Sequence, residues 1–269
     1  MSAPNKGSRG TSSGDEKKLE PVVVTVIPCH NHADFVQNAI TSVTQQDFPH
    51  LIVCVVNDGS ADESQERICE LFTEQIETPL DNVLGGLVDN RPVYVFHNEQ
   101  PTGPGAARNV GIKFGWNMAD LYGVLDADDE WLPGKLQKSV DAWIKDTDRV
   151  GMVYTDVLIN NLHTGVIMHE FRQPFRRARL ERENIISNSP LISKVALDEV
   201  GLYDEDLRTC EDWDLWLRIT ERFAAIHIPE ALQVYTVTGF NATDIVKEER
   251  WRKDWQRVQQ KLRERHGQQ

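Results

Sequence analysis

Pro21-Val-Val-Val-Thr-Val-Ile27 sets the fold class. It is short, rich in β-branched residues and apolar on both alternations, the pattern of a strand buried on both faces. The next segment is helical in period: Asp34 to Gln46 spaces Phe35, Ala39, Ile40 and Val43 along one face. The alternation then repeats. Leu51-Ile-Val-Cys-Val-Val56 reads as a second buried strand, and Asp62 to Ile76 as a helix turning Ile68, Leu71, Phe72 and Ile76 inward. Val93 to Phe96 is a third strand, Gly105 to Trp116 a third helix, Leu121 to Leu125 a fourth strand and Pro133 to Ile144 a fourth helix. Four strand–helix alternations predict an α/β fold with a mainly parallel sheet and helices on both faces. Ligands in such sheets bind beyond the carboxyl ends of the strands.

Past Val150 the rhythm changes. Val150 to Ile159 and Val166 to Phe171, joined through Asn160-Asn-Leu-His-Thr-Gly165, read as an antiparallel hairpin. Leu191 to Val200 reads as a strand running into a short helix, Glu211 to Phe223 as a helix, and Ile226 to Val237 as one or two short strands around Pro229. Asp244 to His266 reads as a long charged helix. Before the first strand, 1–20 is rich in Ser, Gly and charge, and is expected to be a disordered tail.

The composition fits this picture. Of 269 residues, 40% are hydrophobic and 26% charged, which excludes wholesale disorder. No apolar run reaches the length of a spanning helix, and the N-terminus has no apolar signal region, so a cytoplasmic location is expected. Cys29, Cys54, Cys69 and Cys210 lack thiolate-zinc spacing and fit a reducing compartment. The net charge of −13 disfavours non-specific association with nucleic acid or anionic membrane, although a local patch can oppose it.

The residues after each strand carry the chemistry. The first strand ends in Pro28-Cys-His-Asn31, with His30 as a ring able to pack on a base. A histidine metal site at His30 and His32 has no third ligand nearby. The second strand ends in Asn57-Asp-Gly-Ser60, a turn former in which Asp58, an acceptor only, suits a base presenting N–H. Gly103-Pro-Gly-Ala-Ala-Arg-Asn109 matches neither a P-loop nor a dinucleotide fingerprint. Its Arg108 can offer a fork to a diphosphate or lie on the helix surface. Asp126-Ala-Asp-Asp129 concentrates repelling carboxylates, which suits Mg²⁺ or Mn²⁺ but also a helix cap. Glu211-Asp-Trp-Asp-Leu-Trp216 puts acid on a helix N-terminus, favourable in itself, yet a carboxylate there can serve as a general base; Trp213 and Trp216 suit the core.

In combination these segments resemble the family-2 glycosyltransferases of the GT-A fold. The matching pieces are Ile27-Pro-Cys-His-Asn31, Asn57-Asp-Gly-Ser60, Gly103 with Ala107-Arg-Asn109, Asp126-Ala-Asp-Asp129-Glu-Trp131, Gly201-Leu-Tyr-Asp204 and Glu211-Asp-Trp-Asp-Leu-Trp216, in family order over roughly residues 22 to 240. The resemblance implies a GT-A Rossmann-like domain at 21–243, followed by the charged helix at 244–269. Within it, 21–130 would be the nucleotide-sugar half and 131–243 a smaller antiparallel and helical acceptor half. It implies a nucleotide-sugar donor, most often a UDP-sugar, and inversion at the anomeric carbon. Asp58 would hold the base, with Pro28, His30 and Asn31 beside it. Arg108 would approach the diphosphate, Asp126 the ribose, and Asp128 would hold Mn²⁺ or Mg²⁺. Asp212 would deprotonate the acceptor hydroxyl, with Glu211 beside it.

Two departures stand out. His30 occupies a position where the family commonly has Tyr or Phe. Tyr235-Thr-Val-Thr-Gly-Phe240 lacks the Arg and His found near there in many members, leaving His227 as a weak substitute ligand. The acceptor is expected to be a glycan, a lipid-linked group or a surface polymer. A nucleic-acid base hydroxyl is an alternative that the charge disfavours, and a non-catalytic nucleotide-sugar binder is another. Arg172, Arg176, Arg177, Arg179 and Arg182 form a basic island on the expected acceptor side, suited to a phosphorylated acceptor, an anionic lipid surface or nucleic acid.

Overall fold

The computed structural model describes residues 20–78, 80, 82–239, 241 and 246–267. The expected tail, apart from Glu20, lies outside them, as do 244–245 at the expected start of the terminal helix. The strands are β1 (Val23–Cys29), β2 (Leu51–Asp58), β3 (Glu74–Gln75), β4 (Val83–Val88), β5 (Arg91–Asn98), β6 (Leu121–Val124), β7 (Glu130–Trp131), β8 (Val150–Asn161), β9 (Val166–Glu170), β10 (Leu191–Ser193) and β11 (Ala224–Val237). The helices are α1 (Val36–Thr44), α2 (Ser64–Glu70), α3 (Pro104–Gly115), α4 (Lys135–Trp143), α5 (Arg177–Leu180), α6 (Lys194–Val200), α7 (Glu211–Ile219) and α8 (Glu248–Gly267).

All the strands join one sheet in the order β3-β4-β5-β2-β1-β6-β10-β8-β11-β7, with β9 added beside β8. The run from Val23 is its centre. β1 is flanked in parallel by β2 and β6, with Val23 level with both Leu51 and Leu121. β5 extends the parallel block beyond β2. β10 then reverses direction against β6 and β8, so β8 and its parallel neighbour β11 run the same way as β6. The carboxyl ends of β1, β2, β6 and β8 therefore share one edge.

Both faces of this sheet are covered, which is why its central strands are apolar on both alternations. Val24, Val26, Cys54 and Val56 pack with Ile112 of α3, Leu197 of α6 and the buried face of α7. Val23, Ile27, Val53 and Val55 pack with Ala39, Ile40 and Val43 of α1 and with Leu136, Val140 and Trp143 of α4. Each such side chain contributes about 1.5–3 kcal/mol on burial. Trp213 and Trp216 belong to this core.

Two local expectations are corrected. The helix expected to reach Ile76 stops at Glu70, and the chain turns into β3. Its partner β4 carries Gly85-Gly86 at its centre, a pair that disguises a strand as a turn. The glycines are there because side chains lie against the strand: a Cβ on Gly86 would run into the Phe72 ring, and one on Gly85 into the side chains of Thr78 and Ile76. Around Pro229 there is one long strand, β11, with register shifts against β8 on both sides of Ala231.

Candidate active site

The ends of β1 and β2 are stitched together by bonds between them. His30 Nδ1 donates to the Asp58 carbonyl at 2.7 Å, so Nε2 is the acceptor, and Asn31 Nδ2 donates to it at 3.1 Å. Asn31 sits at φ 58°, and its backbone N–H reaches Ser60 while its amide oxygen receives Ala61 N–H. The His30 ring is thus fixed in plane and exposed. Asn57-Asp-Gly-Ser60 is indeed a turn, closed by Ser60 N–H on Asn57 Oδ1.

Asp58 is engaged more fully than its sequence suggests. Its carboxylate accepts from Asn98 Nδ2, from the N–H and hydroxyl of Thr102 and from Gly103 N–H, all within 3.0 Å. Burial pushes this carboxyl up, but the donors outweigh it, and the group titrates below the ordinary carboxylate range. Asp58 therefore ties the glycine turn that opens α3 to the end of β5, so a base N–H could reach it only by displacing one of these donors.

Arg108 corrects both of its expected placements. It lies neither on the surface nor free to fork a phosphate, with a side chain only 5% exposed. Its Nη2 donates to Asp126 Oδ1 at 2.5 Å and its Nη1 to Glu211 Oε1 at 2.6 Å, while the guanidinium carbon sits 5.4 Å from the Tyr203 ring centre. One guanidinium thereby joins the strand-end acids after β6 to the N-terminus of α7. Burial pushes Glu211 up to about 7, with Arg108 opposing and Asp212 adding to the rise. Asp212, half-buried, is also raised by burial. Asn184 Nδ2 holds its Oδ2 at 2.9 Å, and Trp213 N–H reaches its Oδ1.

The acids after β6 are also tied to residues from the later part of the chain. Asn188, which carried no sequence signal, donates to Asp126 Oδ2 at 3.1 Å and to Asp129 Oδ2 at 2.7 Å. Its own oxygen receives Gln233, which in turn accepts from buried Lys135 at 2.8 Å. Asp129, fully buried and well above the carboxylate range, also receives Thr236 N–H and so anchors β11. Burial and then the Asp126 charge push Asp128 up to about 7. Asn241 Nδ2 donates to Asp128 Oδ2 at 3.0 Å. That asparagine stands just past the segment where the family's Arg and His were missed. His227 does not substitute for them: its Nε2 donates to Asp156 at 2.8 Å and its ring stacks on Tyr154.

A divalent cation fits this donor set in a restricted way. No group of three or more His, Cys, Asp or Glu among the described residues is arranged to hold a metal. Mg²⁺ and Mn²⁺, however, commonly take one or two protein carboxylates and complete their shell with phosphate and water. A buried carboxylate raised by a neighbouring acid is one that a cation would relieve.

The model of the glycosyl transferase family 2 matches residues 24–193, a span that takes in β1 from its second residue, β2, Arg108 and the acids after β6. The chain belongs to glycosyl transferase family 2. This family-2 chain is 29% identical over 224 residues to an uncharacterized glycosyltransferase of Rickettsia felis, covering 80% of this chain and 34% of that protein. It is 30% identical over 223 residues to the succinoglycan biosynthesis protein ExoU of Rhizobium meliloti, covering 76% and 59%. It thus spans about a third of the length of the first of these relatives. Among solved structures, S. aureus TarS 1-349 in complex with UDP-GlcNAc superposes with a TM-score of 0.66 at 18% identity, covering 88% of this chain and 64% of that one. The mannosyltransferase PcManGT of Pyrobaculum calidifontis, with GDP-Man and Mn²⁺, gives 0.60 at 17%, covering 84% and 59%. The fold is GT-A, as the alternation and the ordered motifs implied.

Proposed function

We propose that this family-2 chain moves a sugar from a nucleotide-sugar, a UDP-sugar, to an acceptor hydroxyl with inversion at the anomeric carbon. The observation that carries this function is Arg108, held by Asp126 on one side and by Glu211, beside Asp212, on the other. One guanidinium spans Asp126 and the neighbour of Asp212 on separate elements, which supports a donor side and a base facing each other across the site. The likeness to TarS and PcManGT, whose structures hold UDP-GlcNAc and GDP-Man, supports a nucleotide-sugar.

The base would lie on the exposed face of His30, with Pro28 and Asn31 lining that edge and Asp58 exchanging one of its loop donors for the base N–H. Asp126 would meet the ribose. Arg108 would act on the diphosphate through its field and through the orientation of Asp126. Asp128 would hold Mn²⁺ or Mg²⁺, which when bound offsets negative charge on the departing diphosphate. Asp212 takes the proton of the acceptor hydroxyl. That oxygen forms its bond to the anomeric carbon from the face opposite the nucleotide, and the bond to the diphosphate oxygen breaks with its electron pair. A base whose pKa is raised toward the working pH suits this step, which typically contributes about 10²–10⁴-fold. The acceptor is a lipid-linked or other glycan hydroxyl.

A panel of UDP-, GDP- and dTDP-sugars, read by release of the nucleoside diphosphate with Mn²⁺ and with EDTA, tests this function. The expected result is turnover of a UDP-sugar that EDTA abolishes. Binding of the donor with no turnover under any metal would make the chain a nucleotide-sugar binder instead.

A further inference from the structure

The β8–β9 hairpin carries an unusual surface. Leu162, Val166, Ile167, Met168 and Phe171 are all exposed, Ile167 by 64% and Phe171 by 70%. They make up half of the large apolar side chains found exposed among the described residues, gathered within ten positions. The ladder is regular from Val157–Glu170 to Asn161–Val166, so the ribbon is a formed element. Its root is fixed as well. Buried Asp156 receives His169 Nε2, His227 Nε2 and Arg172 N–H, and the His169 ring stacks on Phe171 with centroids 3.8 Å apart. Nothing in the sheet pairs with the outer edge of β9 among the described residues.

The charge beside it opposes that of the chain. Of the five arginines from 172 to 182, Arg172, Arg177 and Arg179 pair with Glu170, Glu181 and Glu183. Arg176 and Arg182 are exposed and pair with none of the described acids. This stands on a molecule of net charge −13. The position is also fixed. Val153 of β8, Leu191 of β10 and Gly123 of β6 are level in register. Three residues further come Asp126, just past the end of β6, and Asp156, within β8, so the hairpin projects from the edge that bears the candidate active site.

We propose that this hairpin and the arginines behind it dock the protein on an anionic phospholipid bilayer, with the apolar residues in the headgroup–acyl boundary and Arg176 and Arg182 on lipid phosphates. Alternation decides the occupant. Val166 and Met168 point to one face of the ribbon, Ile167 and Phe171 to the other. A second copy pairing along the edge of β9, or a protein groove, covers one face and leaves the other wet. Shallow immersion covers both, and keeps the free backbone edge where water and headgroups can bond to it. The excess of acid elsewhere repels an anionic surface, so the molecule would approach it by this patch alone. Docked so, the acceptor side of the edge faces the lipid, and the acceptor hydroxyl belongs to a lipid-linked glycan. That consequence rests on the proposed glycosyl transfer; the docking does not.

Flotation of the full chain with vesicles, without donor, tests the docking. The vesicles are phosphatidylcholine alone, or phosphatidylcholine with about one third phosphatidylglycerol, at about 0.1 M salt. The protein is expected to float with the anionic vesicles about tenfold or more better than with neutral ones, and to be released by high salt. Ile167→Ser, Met168→Ser and Phe171→Ser together lower flotation on anionic vesicles about tenfold, while thermal unfolding and nucleotide release in detergent-free buffer stay unchanged. Arg176→Glu with Arg182→Glu removes the preference for the anionic vesicles. Absence of flotation, or equal flotation of the serine variant, overturns the proposal. So does a dimer that the serine variant dissolves while vesicles bind neither form, which would assign the surface to a second copy. Failure of the donor panel with flotation intact would sink the proposed glycosyl transfer and leave the docking standing.

Discussion

Arg108 meets two carboxylates and the face of Tyr203 from a buried position, and removing it would leave Glu211 buried and unpaired and Asp126 without its cation. Breaking a buried pair from one side costs about 3–5 kcal/mol. Arg108→Met is therefore expected to lower the Tm by about 10 °C at a size of this order, checked by calorimetry. Lysine, with one ammonium in place of a fork, cannot bridge both acids and should recover only part of the loss. Asp58 gives a pH test. Its folded pKa is depressed, so the stability it contributes is complete above its unfolded pKa of about 3.9 and is lost as pH falls through the folded value. Wild type should thus lose Tm more steeply than Asp58→Asn when acidified below about pH 4, although the variant starts lower at pH 7. These residues also mark where sequence stops being legible. The positions of Asp58 and Arg108 were legible, because turn formers and a glycine-rich segment announce strand ends. Their partners were not, because Asp126, Glu211 and Thr102 lie far from them in sequence. Asn188 lies in Ser187-Asn-Ser189, and an amide between two serines carries no periodic or charge signal.

At the scale of elements, α7 depends on α8. The backbone N–H groups of Arg208 and Thr209 and the Thr209 hydroxyl all reach Asp254 Oδ2 of α8, just ahead of Cys210, which enters α7 at φ 60°. Lys261 of α8 stands 2.7 Å from Asp214 of α7. Asp254→Ala should leave three donors without their acceptor, cost about 1–3 kcal/mol by thermal unfolding, and lower kcat more than donor KM, since it loosens the helix bearing Asp212. An unchanged kcat would detach α8 from the site. The charged helix was legible as a helix, and its ion pairs with Asp204, Asp206, Asp214 and Glu221 agree with a salt-laced face. Its buttressing role was hidden, because Val258 and Leu262 are few apolar residues in a polar stretch. The parallel block was legible because burial on both faces leaves continuous apolar runs. β4 was not, because its packing against Phe72, Ile76 and Thr78 demands the glycines that read as a break.

For the whole molecule, one sheet edge gathers His30, Asp58, Asp126, Asp128 and, through Arg108, the N-terminus of α7. A chain ending at Lys247 would uncover the core that Val258 and Leu262 close. It is expected to unfold at lower temperature and to bind an apolar dye, and full retention of Tm would contradict that packing. No helix among the described residues is long and apolar enough to cross a membrane. The net charge of −13 is now distributed: a handful of acids serve the edge, many more lace the surface, and the arginine-flanked hairpin is the exception. The proposed glycosyl transfer rests on the assignment of Asp212 as base towards an acceptor beside a nucleotide-sugar. The direct test is steady-state release of nucleoside diphosphate by Asp212→Asn against wild type, at saturating donor and acceptor. The expected result is a kcat lower by about 10²–10⁴-fold with the donor KM within about threefold of wild type; full turnover by the asparagine variant would contradict the assignment of Asp212 as base.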